Sequence, residues 1–319
     1  MILRPARLKA ERQGQESREF KLGSLNKIRK AVVPAAGLGT RWLPIAKTVP
    51  KEMMPLLQKP VIQYVVEEAV SSGLDSVIVV TSEGKTALED YFQPNPALER
   101  LLEESGKGAE AERVRQVSRL AKFCFVRQEK PLGLADAIRC ARSLVGNEPF
   151  AVMLPDNIFD CPSPCLHQLI DWYDKRPGCI LATRRVDASV VSTCGILDVE
   201  PPAGVGGEGK FFRVRGLVEK PKPEEAPSRY AIAGRYVLEP EIFDCIDQTR
   251  ADAHGEIQLT DALLLYSRAK PVYAYCFQGR EHDVGDALGF LQATVEYSLK
   301  DPQLSKRFRN YLASLKLAD

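Results

Sequence analysis

Residues 30–55 read KAVVPAAGLGTRWLPIAKTVPKEMMP. The opening apolar run, Ala31-Val32-Val33, has the character of a strand buried on both faces of a parallel sheet. It ends in Pro34-Ala35-Ala36-Gly37-Leu38-Gly39-Thr40-Arg41, where small residues let a backbone lie close against a flat partner. Gly37 and Gly39 accept positive φ and allow amide N–H groups to approach an anion without a Cβ in the way. Arg41 follows at once, and Lys47 and Lys51 follow within ten residues of it. A glycine-rich turn at the carboxyl end of a strand, trailed by fixed cations, is suited to a polyphosphate.

Other glycine motifs do not fit. A dinucleotide fingerprint needs glycine where Trp42 stands, and the stretch lacks the GK[ST] ending of a P-loop. Gly84-Lys85-Thr86 follows the strand-like Val77 to Val80, but the first glycine of a P-loop would fall at Val79. A plain tight turn explains the glycines but not the cations, nor the prolines at 44, 50 and 55.

Working outward, apolar pairs at 61/62, 65/66 and 69/70 predict an amphipathic helix that Gly73 stops. Ser76 to Thr81 reads as the next strand, completing a β-α-β unit. Residues 87–120 are charged and helical in bias, broken at Pro94 and Pro96. Phe123 to Val126 and Phe150 to Leu154 read as strands, with a helix from Ala135 to Leu144 between them. This alternation predicts an α/β fold with a doubly wound, mostly parallel sheet. Further on, Cys179 to Thr183, Gly195 to Val199 and Phe211 to Val218 read as strands, and Pro201 to Gly209 as a surface turn. Helical periodicity returns at Gln258 to Ser267, Ala287 to Leu299 and Leu304 to Leu315.

The composition of the 319 residues, 45% hydrophobic and 27% charged with a net charge of +2, is that of an ordinary globular protein and argues against general nucleic-acid binding. No apolar run approaches the ~20 residues of a membrane span. The 8 cysteines lack paired metal-type spacing, and reduced thiols in a cytoplasmic protein are expected. Residues 1–29 are polar and basic, without the apolar segment of a secretory signal, and are expected to form a loosely ordered extension.

The stretch PAAGLGTRWLPIAKTVPKEMMP resembles the signature of the sugar-nucleotide pyrophosphorylases, and within them the branch that joins UTP to glucose 1-phosphate. The resemblance continues, in order, through PVIQYVVEEAVSSG, VRQEKPLGLADAI, FAVMLPDN, LVEKPKPEEAPS, AIAGRYVLEPEIF, GEIQLTDA and HDVGDALGFLQATVEY. It implies a Rossmann-like nucleotidyltransferase domain over residues 30–300, with a smaller mixed sheet and C-terminal helices, and a helical tail over 301–319. The implied reaction makes UDP-glucose and pyrophosphate, needs Mg²⁺, and is run by a homo-oligomer. A phosphate monoester is already an anionic nucleophile, so catalysis rests on alignment and charge neutralisation rather than on a general base.

Arg41 and Lys51 are the favoured cations for the triphosphate and leaving pyrophosphate, with Lys47 behind them. Asp156 directly follows a buried strand, where open α/β sheets place ligands. The resemblance makes Asp156 a metal ligand, with Asp283 as the second. It places Ala35, Ala36, Gly37, Gly39, Gln128 and Gly133 on the nucleotide, and Gly195, Glu219 and Lys220 on the sugar phosphate. Four positions depart from the family pattern: Asp136 stands where relatives commonly have His, Asn157 where many have a second acid, Cys194 where Tyr is usual, and Val284 where many have Cys. Transfer from dTTP, another hexose phosphate as acceptor, and a non-enzymatic regulatory relative are the alternatives. The presence of Arg41, Lys51 and both aspartates weighs against the last.

Overall fold

The computed structural model describes residues 28–200 and 210–315. Most of the expected N-terminal extension and the expected turn at 201–209 therefore lie outside the described residues.

Among the described residues thirteen strands follow one another: β1 Lys30–Pro34, β2 Pro55–Leu56, β3 Lys59–Pro60, β4 Ser76–Thr81, β5 Lys122–Arg127, β6 Phe150–Met153, β7 Asn157–Asp160, β8 Cys179–Arg185, β9 Gly195–Glu200, β10 Phe211–Glu219, β11 Tyr230–Leu238, β12 Val272–Cys276 and β13 Arg280–Asp283. Nine form one sheet in the order β5-β4-β1-β6-β11-β8-β12-β10-β9. Its first four strands are parallel, with Val32 beside Ile78 on one side and Val152 on the other. β11, a strand the sequence pattern did not single out, then runs antiparallel to both β6 and β8. The sheet is mixed from that point on, since β9 and β10 pair antiparallel while β12 lies parallel to β8.

Alternation along β1 shows why the apolar run is continuous. Ala31 and Val33 enter one core and Val32 the other, so both faces of the sheet are covered. Helix α1, Val61–Ser71, packs Ile62, Val65, Val66 and Ala69 into the first core, as the paired apolar positions predict. The charged stretch resolves into three helices, α2 Thr86–Phe92, α3 Pro96–Glu104 and α4 Gly108–Ser118. Pro96 begins α3, where its missing N–H costs nothing, and the Asn95 side chain caps it. The second face is covered by α5 Leu134–Cys140, by α6 Arg142–Val145 after a break at Ala141, and further along the chain by helices Ile242–Gln248 and Leu259–Ser267.

A smaller third cluster positions the site. Met54, Leu56, Val61, Ile158, Val284 and Ala293 pack together with Trp42 and Phe290 around them. The helix Ala287–Lys300 thus holds the far half of the glycine-rich stretch, with the Trp42 and Phe290 rings edge-to-face at 5.3 Å. β7 and β13 pair beside it, bringing Asp283 opposite Asn157.

Candidate active site

The loop after β1 lies at the carboxyl end of the parallel strands. Ala35 continues the sheet by donating its N–H to the Val80 carbonyl at 2.7 Å. The ammonium of Lys85 then takes the carbonyls of Ala35 and Gly37 at 2.6 and 2.7 Å, and pairs with the buried Glu52 at 3.1 Å. A trans peptide sets C=O and N–H on opposite sides. Drawing those two carbonyls toward Lys85 therefore turns the N–H groups of Ala36 and Leu38 the other way. Both residues line a cavity of about 440 Å³, and among the described residues the N–H groups of residues 36–39 find no protein acceptor. Gly39 turns the chain with φ 65°, whereas Gly37 keeps an ordinary φ and opens on the cavity.

Lys51 and Asp156 meet at 2.7 Å, Nζ to Oδ2. Burial alone would lower the Lys51 ammonium, but the Asp156 charge and hydrogen bond outweigh it and the pKa is raised. Burial likewise pushes the Asp156 carboxyl up, yet Lys51 prevails and holds it below the usual range. Burial in the Lys85–Glu52 pair works against charge on both partners, lowering the ammonium and raising the carboxyl.

Pairing of β7 with β13 places the second aspartate. The Val284 N–H donates to the Asp156 carbonyl at 2.8 Å, and Asp283 Oδ1 accepts from the Gly285 N–H at 2.8 Å. A Cβ added at Gly285 would lie 2.9 Å from Asp283 Oδ1, 3.4 Å from Asp156 Oδ2 and 3.3 Å from an Arg41 nitrogen. Two carboxylates and a guanidinium thus converge on one spot. Desolvation in this crevice raises the Asp283 carboxyl, and the neighbouring Asp156 charge adds to it. Each aspartate side chain bonds one other residue among the described residues, Lys51 for Asp156 and Gly285 for Asp283. This suits a hard divalent ion, which takes one or two carboxylates and completes its shell with phosphate and water. No larger cluster of His, Cys, Asp and Glu occurs among the described residues.

A second cavity, of about 270 Å³, shares Asp156 with the first and is lined by Arg41, Gly195, Glu219, Lys220, Thr260 and Asp283 among others. Gly195 comes close to the Glu219 carboxylate, which accepts from the Thr260 hydroxyl at 3.3 Å. Lys220 sits at φ 43°, with its N–H on the Cys194 carbonyl and its ammonium 3.4 Å from Glu219. Gln128 and Gly133 line the larger cavity. At Gly133, φ 96°, a Cβ would meet the Ile257 carbonyl at 2.8 Å, so only glycine lets the GEIQLTDA segment close over this loop.

Of the residues expected from the sequence, Ala36, Gly37, Gly39, Lys51, Gln128, Gly133 and Asp156 share the first cavity. Arg41, Asp156, Gly195, Glu219, Lys220 and Asp283 share the second. Ala35 is buried beneath the loop and lines neither; Lys47 sits exposed on the turn Ile45–Lys47 and lines neither. A further cavity of about 450 Å³, near Arg185 and Tyr230, holds none of these groups.

Sequence reasoning missed the supports. Lys85 belongs to a stretch that fails the P-loop match, yet a lysine in the loop just after a buried strand is a usable signal. Arg235 sits within the unforeseen β11 and is fully buried. Its five N–H groups bond Glu68 at 3.0 and 2.9 Å and the carbonyls of Leu154, Gly234 and Asn157 at 2.9, 3.0 and 2.8 Å. It therefore grips the backbone on both sides of Asp156. Asn157 in turn donates to Glu281 at 2.6 Å, and Glu281 pairs with Arg184.

The family model for nucleotidyl transferases matches residues 30–299. The chain belongs to the nucleotidyl transferase family. Within it, the chain is 44% identical over 291 residues to the UTP–glucose-1-phosphate uridylyltransferase of Bacillus subtilis, covering 91% of this chain and 98% of that one. Among solved structures, the UTP-bound UGPase from Acinetobacter baumannii superimposes with a TM-score of 0.83 at 39% identity, covering 91% of this transferase and 100% of that chain. A UDP-glucose pyrophosphorylase complexed with UDP-glucose gives 0.77 at 38% identity, over 86% and 100%.

Proposed function

We propose that this nucleotidyl transferase moves UMP from UTP to glucose 1-phosphate, forming UDP-glucose and releasing pyrophosphate. One observation carries the reading: two cavities with different linings meet at Asp156, where Arg41, Lys51 and Asp283 also gather. A nucleotidyl transfer between two substrates needs that arrangement, because the acceptor oxygen must reach the α-phosphorus from the side opposite the leaving pyrophosphate.

In this reading UTP occupies the larger cavity. Its phosphates take the unpaired N–H groups of the glycine loop, with Lys51 and Arg41 as fixed cations, and its base faces Gln128 and Gly133. Glucose 1-phosphate occupies the smaller cavity, its hydroxyls toward Glu219 and the Gly195 backbone and its phosphate toward Lys220. The acceptor phosphate oxygen attacks the α-phosphorus, the bond to the bridging oxygen breaks, and pyrophosphate leaves with the electron pair. Asp156 and Asp283 are the residues that would hold Mg²⁺, which when bound neutralises charge developing on the phosphate oxygens. Lys51, kept protonated by Asp156, steadies the leaving group without reorganisation.

The reading carries with it a transferase domain over residues 30–300, a helical tail after it, and a cytoplasmic homo-oligomer. Exposed Leu288, Leu291 and Tyr311 on the last two helices suit contact with a second copy.

The test is pyrophosphate release from a panel of UTP, dTTP, CTP and ATP against glucose, galactose and mannose 1-phosphates, with and without Mg²⁺. The expected result is turnover highest for UTP with glucose 1-phosphate and dependent on Mg²⁺; turnover with no member of the panel overturns the proposal. In the same assay Asp156→Asn should abolish Mg²⁺-dependent turnover while circular dichroism stays that of the parent.

A further inference from the structure

Within the larger cavity the Gln128 side chain has a direction. It is buried, and its Nε2 donates to the Gly133 carbonyl at 3.2 Å and to Asp136 Oδ2 at 2.8 Å. Both partners are acceptors. A Gln amide turned the other way would set its Oε1 against a carbonyl and a carboxylate, neither of which can donate to it. Only one seating is satisfied, and in it Oε1 has no partner among the described residues and belongs to the cavity wall.

Asp136 is held in turn. It is 5% exposed on α5, and its other oxygen, Oδ1, pairs with Arg139 one turn along. Arg139 also lies 3.8 Å from Asp247 of the helix Ile242–Gln248. The Gly133 carbonyl alone is a single, longer contact, whereas Asp136 supplies the charge-assisted one.

The consequence is chemical. An acceptor on the wall pairs with a base edge that carries an N–H, as N3–H of uracil and thymine does. It meets a lone pair on N3 of cytosine or N1 of adenine. We propose that Asp136 is a specificity-determining positioning residue: by taking the Nε2 end of the Gln128 amide, it leaves an acceptor facing the base and selects nucleotides with an N–H donor there. This rests on the proposed placement of the nucleotide base beside Gln128.

Asp136→Asn tests it with almost no change of shape. Arg139 claims the remaining oxygen, so an NH₂ group faces the Gln128 NH₂ and the amide loses its reason to point one way. The readout is the ratio of kcat/KM for UTP to that for CTP, with UMP and CMP affinities measured by calorimetry on the intact protein. The ratio should fall about tenfold or more, the scale of one misdirected buried hydrogen bond. Asp136→Ala, which leaves only the Gly133 carbonyl, should shift it the same way by less. In a Gln128→Leu background, Asp136→Asn should change the ratio no further. A ratio within twofold of the parent in folded Asp136→Asn overturns the inference, as does a fall that persists without Gln128. If the parent releases no pyrophosphate from UTP, the failure belongs to the proposed function instead.

Discussion

Lys51 faces two opposing demands. Its side chain is mostly buried, which disfavours charge, yet it must remain a cation to act on phosphates. Asp156 resolves this at 2.7 Å, and the same contact keeps the aspartate ionised. Lys51→Ala should reduce kcat by roughly 10²–10³ if the ammonium acts on charge that develops in the transition state. Unchanged turnover in steady-state assays would remove it from the mechanism. Lys85 acts at one remove: it touches the loop's carbonyls, not the cavity. Lys85→Met frees those carbonyls and strands the buried Glu52 carboxyl. KM for UTP should rise about tenfold, the scale of one lost charged hydrogen bond, with kcat changed much less. A fall in kcat with KM unchanged would mean that Lys85 itself serves the transition state.

Among the elements, the helix Ala287–Lys300 matters because its Phe290 ring packs edge-on against Trp42, one residue beyond Arg41. An aromatic pair of this kind adds about 0.5–1.5 kcal/mol beyond the area it buries. Phe290→Ala should therefore lower the denaturation midpoint slightly and raise KM for UTP several-fold, because the loop loses its backing. Equal KM values in the two proteins would show that the loop holds its shape unaided. The elements also show what could be read in advance. β1, β4, β5 and β6 announce themselves as short apolar runs separated by helical periodicity, and they carry the glycine loop and Asp156 at their ends. β11 did not stand out, for its YAIAGRYVL interrupts the apolar pattern with Gly234 and Arg235. Both interruptions have tertiary causes: the ladder is irregular between Ile232 and Tyr236, and Arg235 is paired with a glutamate 167 residues away. β7 and β13 are too short and polar to signal strands, so the approach of Asp283 to Asp156 was readable only through family resemblance.

Over the whole molecule, β11 is an antiparallel strand set between β6 and β8, which share one direction, and its Ile232, Gly234 and Tyr236 line the second cavity. Arg235 sits there with every N–H bonded, its guanidinium 4.4 Å from the Phe159 ring centroid. It reaches α1 through Glu68, which also accepts from the Leu166 N–H, the first turn of the helix Cys165–Lys175. One residue thereby ties β11, the Asp156 turn and two helices of one sheet face. A buried charge of this kind is costly to leave alone: removing one member of such a pair costs about 3–5 kcal/mol, because its partner stays buried and uncompensated. Arg235→Met should lower unfolding free energy in urea by that amount. Adding Glu68→Gln should recover part of it, since an amide needs no counter-charge. Activity separates the two roles of the arginine. If it serves stability alone, the double variant should regain turnover as it regains stability. If it also holds the Leu154 and Asn157 carbonyls that set Asp156, the double variant should remain slow and need more Mg²⁺ for half-maximal rate. The second outcome is expected, because no side chain in the double variant replaces the three carbonyl contacts.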